Sequence, residues 1–365
     1  NIPFPARHLL PMENYIRAQE GHGPSSGRWT SILSSRGCPY GCTFCESRRT
    51  VWIARSPMDV VDEMEYCLKE WGINEFHFED DNMTINKERL IGICDEIIDR
   101  GLNIKWQTPN GIRASVTDSE MLSKMKESGC LHITLAPETG SERVLKEVIE
   151  KGKDFDLTQL KDCGALAHDL GLKVAAYFII GLPGETRTEV METIKYAKEL
   201  AKCGVDEVAF GLFIPLPGTP LWGVAKKKNQ EMDFLDLLAV GDMNKAVSWN
   251  DHMDAEELNS LRLRAYIGFH LTRMVYHPLL FMKSFFNVLR NIEETKTERT
   301  LLQFIKRLGI KKKTKNTEDF GLASYPYDSS ATVKTILQSK PHYAYGHSLL
   351  KTLRFWKKQT YDSKN

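Results

Sequence analysis

The chain has 365 residues, 42% hydrophobic and 27% charged, with a formal net charge of +1. That length supports one large domain with an extension, and the near balance of charge excludes a global field that would recruit nucleic acid or membrane. There is no run of about 18 uncharged apolar residues to cross a bilayer and no visible signal peptide, so a cytoplasmic location is expected.

The chain opens with Asn rather than Met, which points to sequence upstream, and residues 1–27 read as a junction to a preceding domain. From there apolar, β-branched runs alternate with helical segments. "WTSILSS" (29–35) reads as a strand, followed by a cysteine-rich loop and a helix near 57–71. "INEFHFED" (73–80) and "NIKWQTP" (103–109) are strands with helices near 86–100 and 117–128. "CLHITLAP" (130–137) is a strand with helical segments near 141–150 and 157–170. "LKVAAYFIIG" (172–181) precedes a helix near 186–202, and "VDEVAFGLFIP" (205–215) is a sixth strand. Strands alternating with helices at this spacing predict parallel pairing with right-handed crossovers. An open doubly wound sheet is the other topology, but no G-x-G-x-x-G follows the first strand to favour it. The predicted fold is therefore α/β, a partial six-stranded parallel barrel over 28–224 with a helical extension over 225–315 and an irregular tail over 316–365.

In parallel barrels the reacting groups gather at the carboxyl ends of the strands. The special residues of this chain fall there: "EDDNMT" after strand two, "PNGIR" after strand three, "PETGSERVL" after strand four, "GLPGET" after strand five and "PLPGTPL" after strand six. After strand one comes "RGCPYGCTFCESRR" (36–49), which carries Cys38, Cys42 and Cys45. Five further cysteines, Cys67, Cys94, Cys130, Cys163 and Cys203, stand singly in apolar segments and read as small buried hydrophobes. Disulfide pairing of the trio would leave one thiol over. A structural zinc site wants four closed ligands, and no histidine lies near in sequence. Thiolates are the usual ligands of iron–sulfur clusters, and three of them leave one iron of a 4Fe–4S cube open.

The C-x3-C-x2-C spacing, with the loops that follow it over roughly 28–222, resembles the radical S-adenosylmethionine (SAM) superfamily. The resemblance implies a 4Fe–4S cluster held by Cys38, Cys42 and Cys45, with the open iron chelated by the methionyl amino and carboxylate groups of SAM. It also implies reductive cleavage to a 5′-deoxyadenosyl radical, with the electron coming from an external donor. Phe44 holds the aromatic position near the adenine. The acidic run after strand two is where the family holds the methionyl amino group, which assigns Glu79 and Asp80 there, with Asp81 beside them. The competing reading is that Asp80 or Asp81 caps the next helix. Arg113 or Arg143 is the cation for the methionyl carboxylate, against a plain surface salt bridge. Glu138 and Ser141 are placed at the ribose hydroxyls, Ser141 being alternatively an N-cap. Gly181 and Gly184 let backbone approach the adenine.

Within the superfamily, "NIPFPARHLLPMENY", "RSPMDVVDEME", "FHFEDDNMTINKERL" and "IIGLPGET" resemble the cobalamin-dependent class. No later cysteine cluster provides an auxiliary centre. The implied reaction is methylation of an unactivated carbon through cobalamin, bound by an upstream domain or a partner chain. Radical cyclisation or rearrangement, a methylthiotransferase-like reaction, and an inactive zinc- or cluster-binding scaffold are the alternatives. The substrate is expected to be a small or lipid-like molecule.

Beyond the barrel, a helix is predicted from Asp254 with Leu258, Leu261, Leu263, Tyr266 and Ile267 as its apolar face. Residues 276–292 are rich in Leu and Phe, and 306–315 are basic. Two readings remain: an interfacial membrane contact, or a helix packed on the barrel beside a solvated loop. His252, His270 and His277 read as packing or surface residues.

Overall fold

The computed structural model describes residues 3–307, apart from 19–20, 22, 26, 229–246 and 293. The tail 316–365 and the basic stretch from 308 lie outside the described residues. In chain order the elements are α1 (Met12–Ala18), β1 (Trp29–Ile32), β2 (Ser35–Arg36), β3 (Ile53–Ala54), α2 (Pro57–Trp71), β4 (Glu75–Phe78), α3 (Lys87–Asp99), β5 (Lys105–Ile112), α4 (Ser119–Glu127), β6 (Cys130–Glu138), α5 (Leu157–Asp169), β7 (Lys173–Ile180), α6 (Arg187–Lys202), β8 (Glu207–Leu212), α7 (Pro220–Lys228), α8 (Ala255–Tyr276), α9 (Pro278–Arg290) and α10 (Lys296–Arg307).

Six strands pair in parallel in the order β1-β4-β5-β6-β7-β8, which is the predicted arrangement. Each strand is followed in sequence by its neighbour in the sheet, and helices make the crossovers, as parallel pairing requires. Helix starts are written in the sequence: Ser56, Asn86, Asp118, Asp156, Thr186 and Asp254 each accept a backbone N–H of the first turn. The core holds Phe76, Phe78, Trp106, Ile133, Val174 and Phe178 from the strands, against Met64, Leu90, Ile93 and Ile194 from the helices. On the β7–β8 pair, Phe178 stacks on Phe210 with ring centres 4.9 Å apart.

The last strand would expose an edge of unpaired backbone groups. Helix α8 covers it: the Phe210 N–H donates to the Tyr266 hydroxyl at 3.1 Å, and Arg273 donates to Asp206 at 2.9 Å, with both of those charged residues buried. The buried side of α8 is Leu258, Leu261, Ala265 and Phe269, with Tyr266 packed beside it. Leu263 and Ile267, predicted on this face, are instead 61% and 51% exposed. Periodicity marks two apolar stripes on this helix, and only one faces the barrel.

The opening segment is tied to the barrel. Arg7 is buried, pairs with Glu63 at 2.5 Å and donates to the Ser31 carbonyl at 3.0 Å. The Gln107 side chain donates to the Pro24 carbonyl at 2.6 Å. Residues 1–307 accordingly form one compact unit.

Candidate active site

The cysteine loop is bracketed by the two-stranded ladder of β2 and β3, where Ser35 pairs with Ala54 and Arg36 with Ile53. It turns at Gly37, whose φ is +93° and where a Cβ would lie 2.2 Å from the Val51 carbonyl oxygen, so only glycine fits. Thr50 closes the loop on itself: its hydroxyl receives the Cys38 N–H at 2.9 Å and its N–H donates to the Cys38 carbonyl at 3.0 Å. Cys38, Cys42 and Cys45 are all free thiols, partly exposed. Burial raises each thiol above its ordinary range, and each lies close enough to another of the trio to be raised further by its charge. Among the described residues no three His, Cys, Asp or Glu side chains converge as a single metal ion requires. Three free thiols in mutual range are the ligand type an iron–sulfur cluster takes.

Two neighbouring carboxylates brace this loop. Asp80 is 2% exposed; it accepts from the Ser34 N–H at 2.7 Å, the Ser34 hydroxyl at 2.6 Å and the Ser35 hydroxyl at 2.5 Å. Asp81 accepts the Gly37 N–H at 2.7 Å and the Ser47 hydroxyl at 2.5 Å. Neither caps the following helix; Asn86 does, through the Arg89 N–H at 2.7 Å. Asp80 is thus not the open acceptor expected for an ammonium group, because its carboxylate is enclosed by Ser34, which lies between β1 and β2, and Ser35, which opens β2. Burial pushes its pKa up, against the pull of the Ser34 and Ser35 hydrogen bonds. Glu79, the first acidic residue of the run, is partly exposed.

Arg113, 6% exposed, is also engaged. It chelates Asp154 at 2.8 and 2.9 Å, donates to the Lys151 carbonyl at 3.1 Å, and lies 3.4 Å from the centre of the Tyr40 ring. Tyr40 stands inside the cysteine loop, so this stack ties the loop to the end of β5. The geometry assigns Arg113 a positioning role in place of the methionyl-carboxylate role expected of it. Beside it, Lys151 is buried and donates to the Ala136 carbonyl and, at 2.6 Å, to Glu138. Glu138 holds φ +66°, an uncommon conformation for a side-chain-bearing residue. Lys151 and Arg113 both pull the Cys42 thiol back down, against the dominant effect of burial.

The fourth and fifth loops are joined by Arg143 and Glu189. Arg143 grips Glu189 at 2.6 and 2.8 Å and donates to the Gly184 carbonyl at 2.9 Å. That pair, foremost the Arg143 hydrogen bond, holds the Glu189 carboxyl down at about 2. The Ser141 hydroxyl also turns to Glu189, at 3.4 Å, so its side chain does not serve as an N-cap. Gly181 and Gly184 have φ of +81° and +73°. Glu185, fully buried, folds back so that one oxygen accepts the Gly181 and Leu182 N–H groups at 2.7 and 3.1 Å, while its other oxygen has no partner. Burial raises its pKa to about 7. Phe44 and Cys42 pack against the apolar cluster formed by Val144, Ile149, Leu182, Phe213 and Trp249, which places Phe44 among the carboxyl ends of β6, β7 and β8. The Thr43 N–H donates to the Ile149 carbonyl at 2.8 Å, sewing the cysteine loop to the turn after β6.

The predicted residues therefore assemble at one end of the sheet, though several are spent on holding loops. Sequence reading overlooked Tyr40, Lys151, Asp154 and Glu189. Glu189 had a signal, since Thr186 and Glu189 form the T-x-x-E capping box seen in the structure. The others carry no local pattern. Cys67, Cys94, Cys130 and Cys163 are buried as expected, whereas Cys203 is only half-buried; burial lifts Cys67 to about 11 and Cys94 and Cys163 to about 12, so they stay protonated. His277 donates from Nε2 to the Lys202 carbonyl at 2.9 Å, a packing role.

A parallel α/β sheet whose polar loops converge on a three-thiol turn defines a barrel that works at the carboxyl ends of its strands. Residues 32–197 match the family described as the Radical SAM superfamily, so this part of the chain is a radical SAM domain. An uncharacterized methyltransferase of Pyrococcus horikoshii is 34% identical over 275 residues, covering 74% of this chain and 56% of that protein. An anaerobic magnesium-protoporphyrin IX monomethyl ester cyclase of Rubrivivax gelatinosus is 28% identical over 268 residues, covering 73% of this chain and 45% of that protein. The radical SAM methyltransferase TsrM of Kitasatospora setae, solved with cobalamin and a 4Fe–4S cluster bound, shares the fold with a TM-score of 0.50 at 20% identity, over 55% of this chain and 39% of that one. The chain thus spans about half the length of the curated relatives it matches. Members of the superfamily use a 4Fe–4S cluster and SAM. No helix among the described residues is long and apolar enough to cross a membrane.

Proposed function

We propose that this chain is the radical-generating part of a methyltransferase acting on an unactivated carbon. Cys38, Cys42 and Cys45 would hold the 4Fe–4S cluster. When bound, cluster and SAM together supply a 5′-deoxyadenosyl radical, the electron coming from an external donor. The observation that carries this reading is the loop itself: three free thiols on one turn, braced by Asp80 and Asp81 and packed beside the Gly181–Glu185 turn.

The chain's own residues then divide their work. Glu79 receives the methionyl ammonium group. Lys151 and Arg113 put positive charge beside the Cys42 sulfur, which favours the thiolate that a metal needs. Phe44 and the turn held by Arg143 and Glu189 offer an apolar face and backbone groups for the adenine. Glu138 and Ser141 line the same end of the sheet, where ribose hydroxyls would need acceptors.

Methylation through cobalamin, supplied by a domain or chain outside these residues, is supported by the relative named a methyltransferase and by the opening segment. The resemblance to a named cyclase favours ring formation as the second reading. One assay separates them. The protein with its full complement of domains, loaded with iron and sulfide, is given SAM with and without methylcobalamin. Product-linked formation of both 5′-deoxyadenosine and S-adenosylhomocysteine, dependent on corrinoid, is the methyltransferase outcome. Turnover without S-adenosylhomocysteine is the cyclase outcome.

A further inference from the structure

We propose that the outward faces of α8 and α9 seat this chain on an anionic lipid surface. On α8, Leu263, Ile267, Leu271 and Val275 recur at intervals of four, on one line of the helix. All four are exposed, although the buried side of the same helix already supplies its packing on the barrel. On α9, Leu279, Met282, Phe286 and Leu289 recur at intervals of three and four and are exposed as well, Leu279 by 84%. Phe285 lies beside them, 52% exposed. The opposite side of α9 is the one that packs: Asn287 and Val288 are buried, and Asn287 donates to Glu298 of α10 at 3.1 Å. The exposed stripes are thus not the surfaces that hold the helices in the fold, and apolar exposure on this scale marks an interaction site.

Charge decides the occupant. Residues 258–292 contain no Asp or Glu and five Arg or Lys. Arg273 is used internally on Asp206 and Lys283 pairs with Glu294 at 2.8 Å, while Arg264 and Arg290 are exposed. An apolar face carrying Phe and Leu, on helices where Arg264 and Arg290 are exposed, suits the boundary between acyl chains and anionic headgroups, where apolar burial and electrostatic attraction add. With 13 residues, α9 is about 20 Å long, short of the roughly 30 Å hydrocarbon core, so it lies in the interface instead of spanning it. This inference stands apart from the radical chemistry, and either can fail without the other.

The test is flotation of the full chain with vesicles of phosphatidylcholine alone and of phosphatidylcholine with phosphatidylglycerol. Binding to the anionic vesicles, weakened by high salt, is expected. Leu279→Ser with Phe285→Ser should weaken it about tenfold or more, and Arg264→Gln with Arg290→Gln should remove the preference for the anionic vesicles. These side chains face solvent, so an unchanged melting temperature shows that the fold survives. Absence of binding by the parent chain, or equal binding to both vesicles, overturns the proposal. So does a parent dimer in light scattering that Leu279→Ser with Phe285→Ser converts to monomer, because a second copy then covers the face.

Discussion

Asp81 accepts the backbone N–H of Gly37 at 2.7 Å, so the residue that follows the second strand of the sheet fixes the first turn of the cysteine loop. Its neighbour Asp80 does the same for the link from β1 to β2 through Ser34 and Ser35. The two carboxylates form a clamp under the thiols.

Asp80→Ala should therefore act on the loop before it acts on any ligand. Removing the carboxylate leaves three donors of Ser34 and Ser35 without their acceptor, a cost of about 1–3 kcal/mol for each buried group left unpaired. A lower melting temperature and a lower iron content after reconstitution are expected together. Glu79→Gln should keep iron content and weaken SAM binding roughly ten- to a hundredfold, the value of one charged hydrogen bond. Calorimetry with SAM, alongside an iron count, separates the two residues.

Arg113→Lys tests the stack on Tyr40. A lysine keeps the charge near Asp154 but loses the planar fork and the ring contact at 3.4 Å. The expected cost is about 1–3 kcal/mol, read by denaturant unfolding. The fluorescence of Tyr40, isolated by comparison with Tyr40→Phe, should show a looser environment.

Much of this was legible in the sequence, and the reason is physical. Parallel strands buried on both faces read as near-continuous apolar runs, so "KVAAYFII" announced β7, whereas "EFHF" of β4 is buried throughout although Glu75 and His77 are polar. Cap residues marked the helix starts. The segment 141–150 read as ordinary helix, whereas Val144–Ile149 forms a π-helical turn that closes at Glu150 with φ +54°. Site partners were less legible. Asp80 meets Ser34 across 46 positions and Arg113 meets Asp154 across 41, and no local pattern encodes such a meeting. Charge at a strand end showed where the site lies, but not which charges would be consumed in holding it.

Glu185 gives a pH prediction. Its pKa is raised to about 7, chiefly by burial, while an unfolded glutamate titrates near its ordinary value of about 4.3. The folded state therefore holds the proton more tightly, and stability is lost as pH rises from about 4.3 through 7. Glu185→Gln keeps an acceptor for the Gly181 and Leu182 N–H groups and carries no charge. It should melt higher than the parent at pH 8, match it near pH 4.5, and flatten the slope between. Melting curves over that range give the answer; a parent and variant with parallel slopes would remove Glu185 as the source.

Arg143→Ala should release Glu189 and the Gly184 carbonyl, slackening the turn held for adenine. SAM affinity is expected to fall about tenfold, the value of roughly 1.4 kcal/mol, with iron content unchanged. Arg143→Lys should recover part of it, since lysine restores the charge without the two-pronged grip.

The measurement closest to the central claim is the iron content and SAM-cleaving activity of the anaerobically reconstituted protein, compared across single cysteine variants. The parent should bind about four irons per chain and form 5′-deoxyadenosine when reduced. Cys38→Ala, Cys42→Ala and Cys45→Ala should each lose both properties. Cys67→Ala and Cys163→Ala should keep both, apart from packing losses on the order of 1 kcal/mol. Full iron and full cleavage in any variant of the trio, or zinc in place of iron in the parent, would contradict the account.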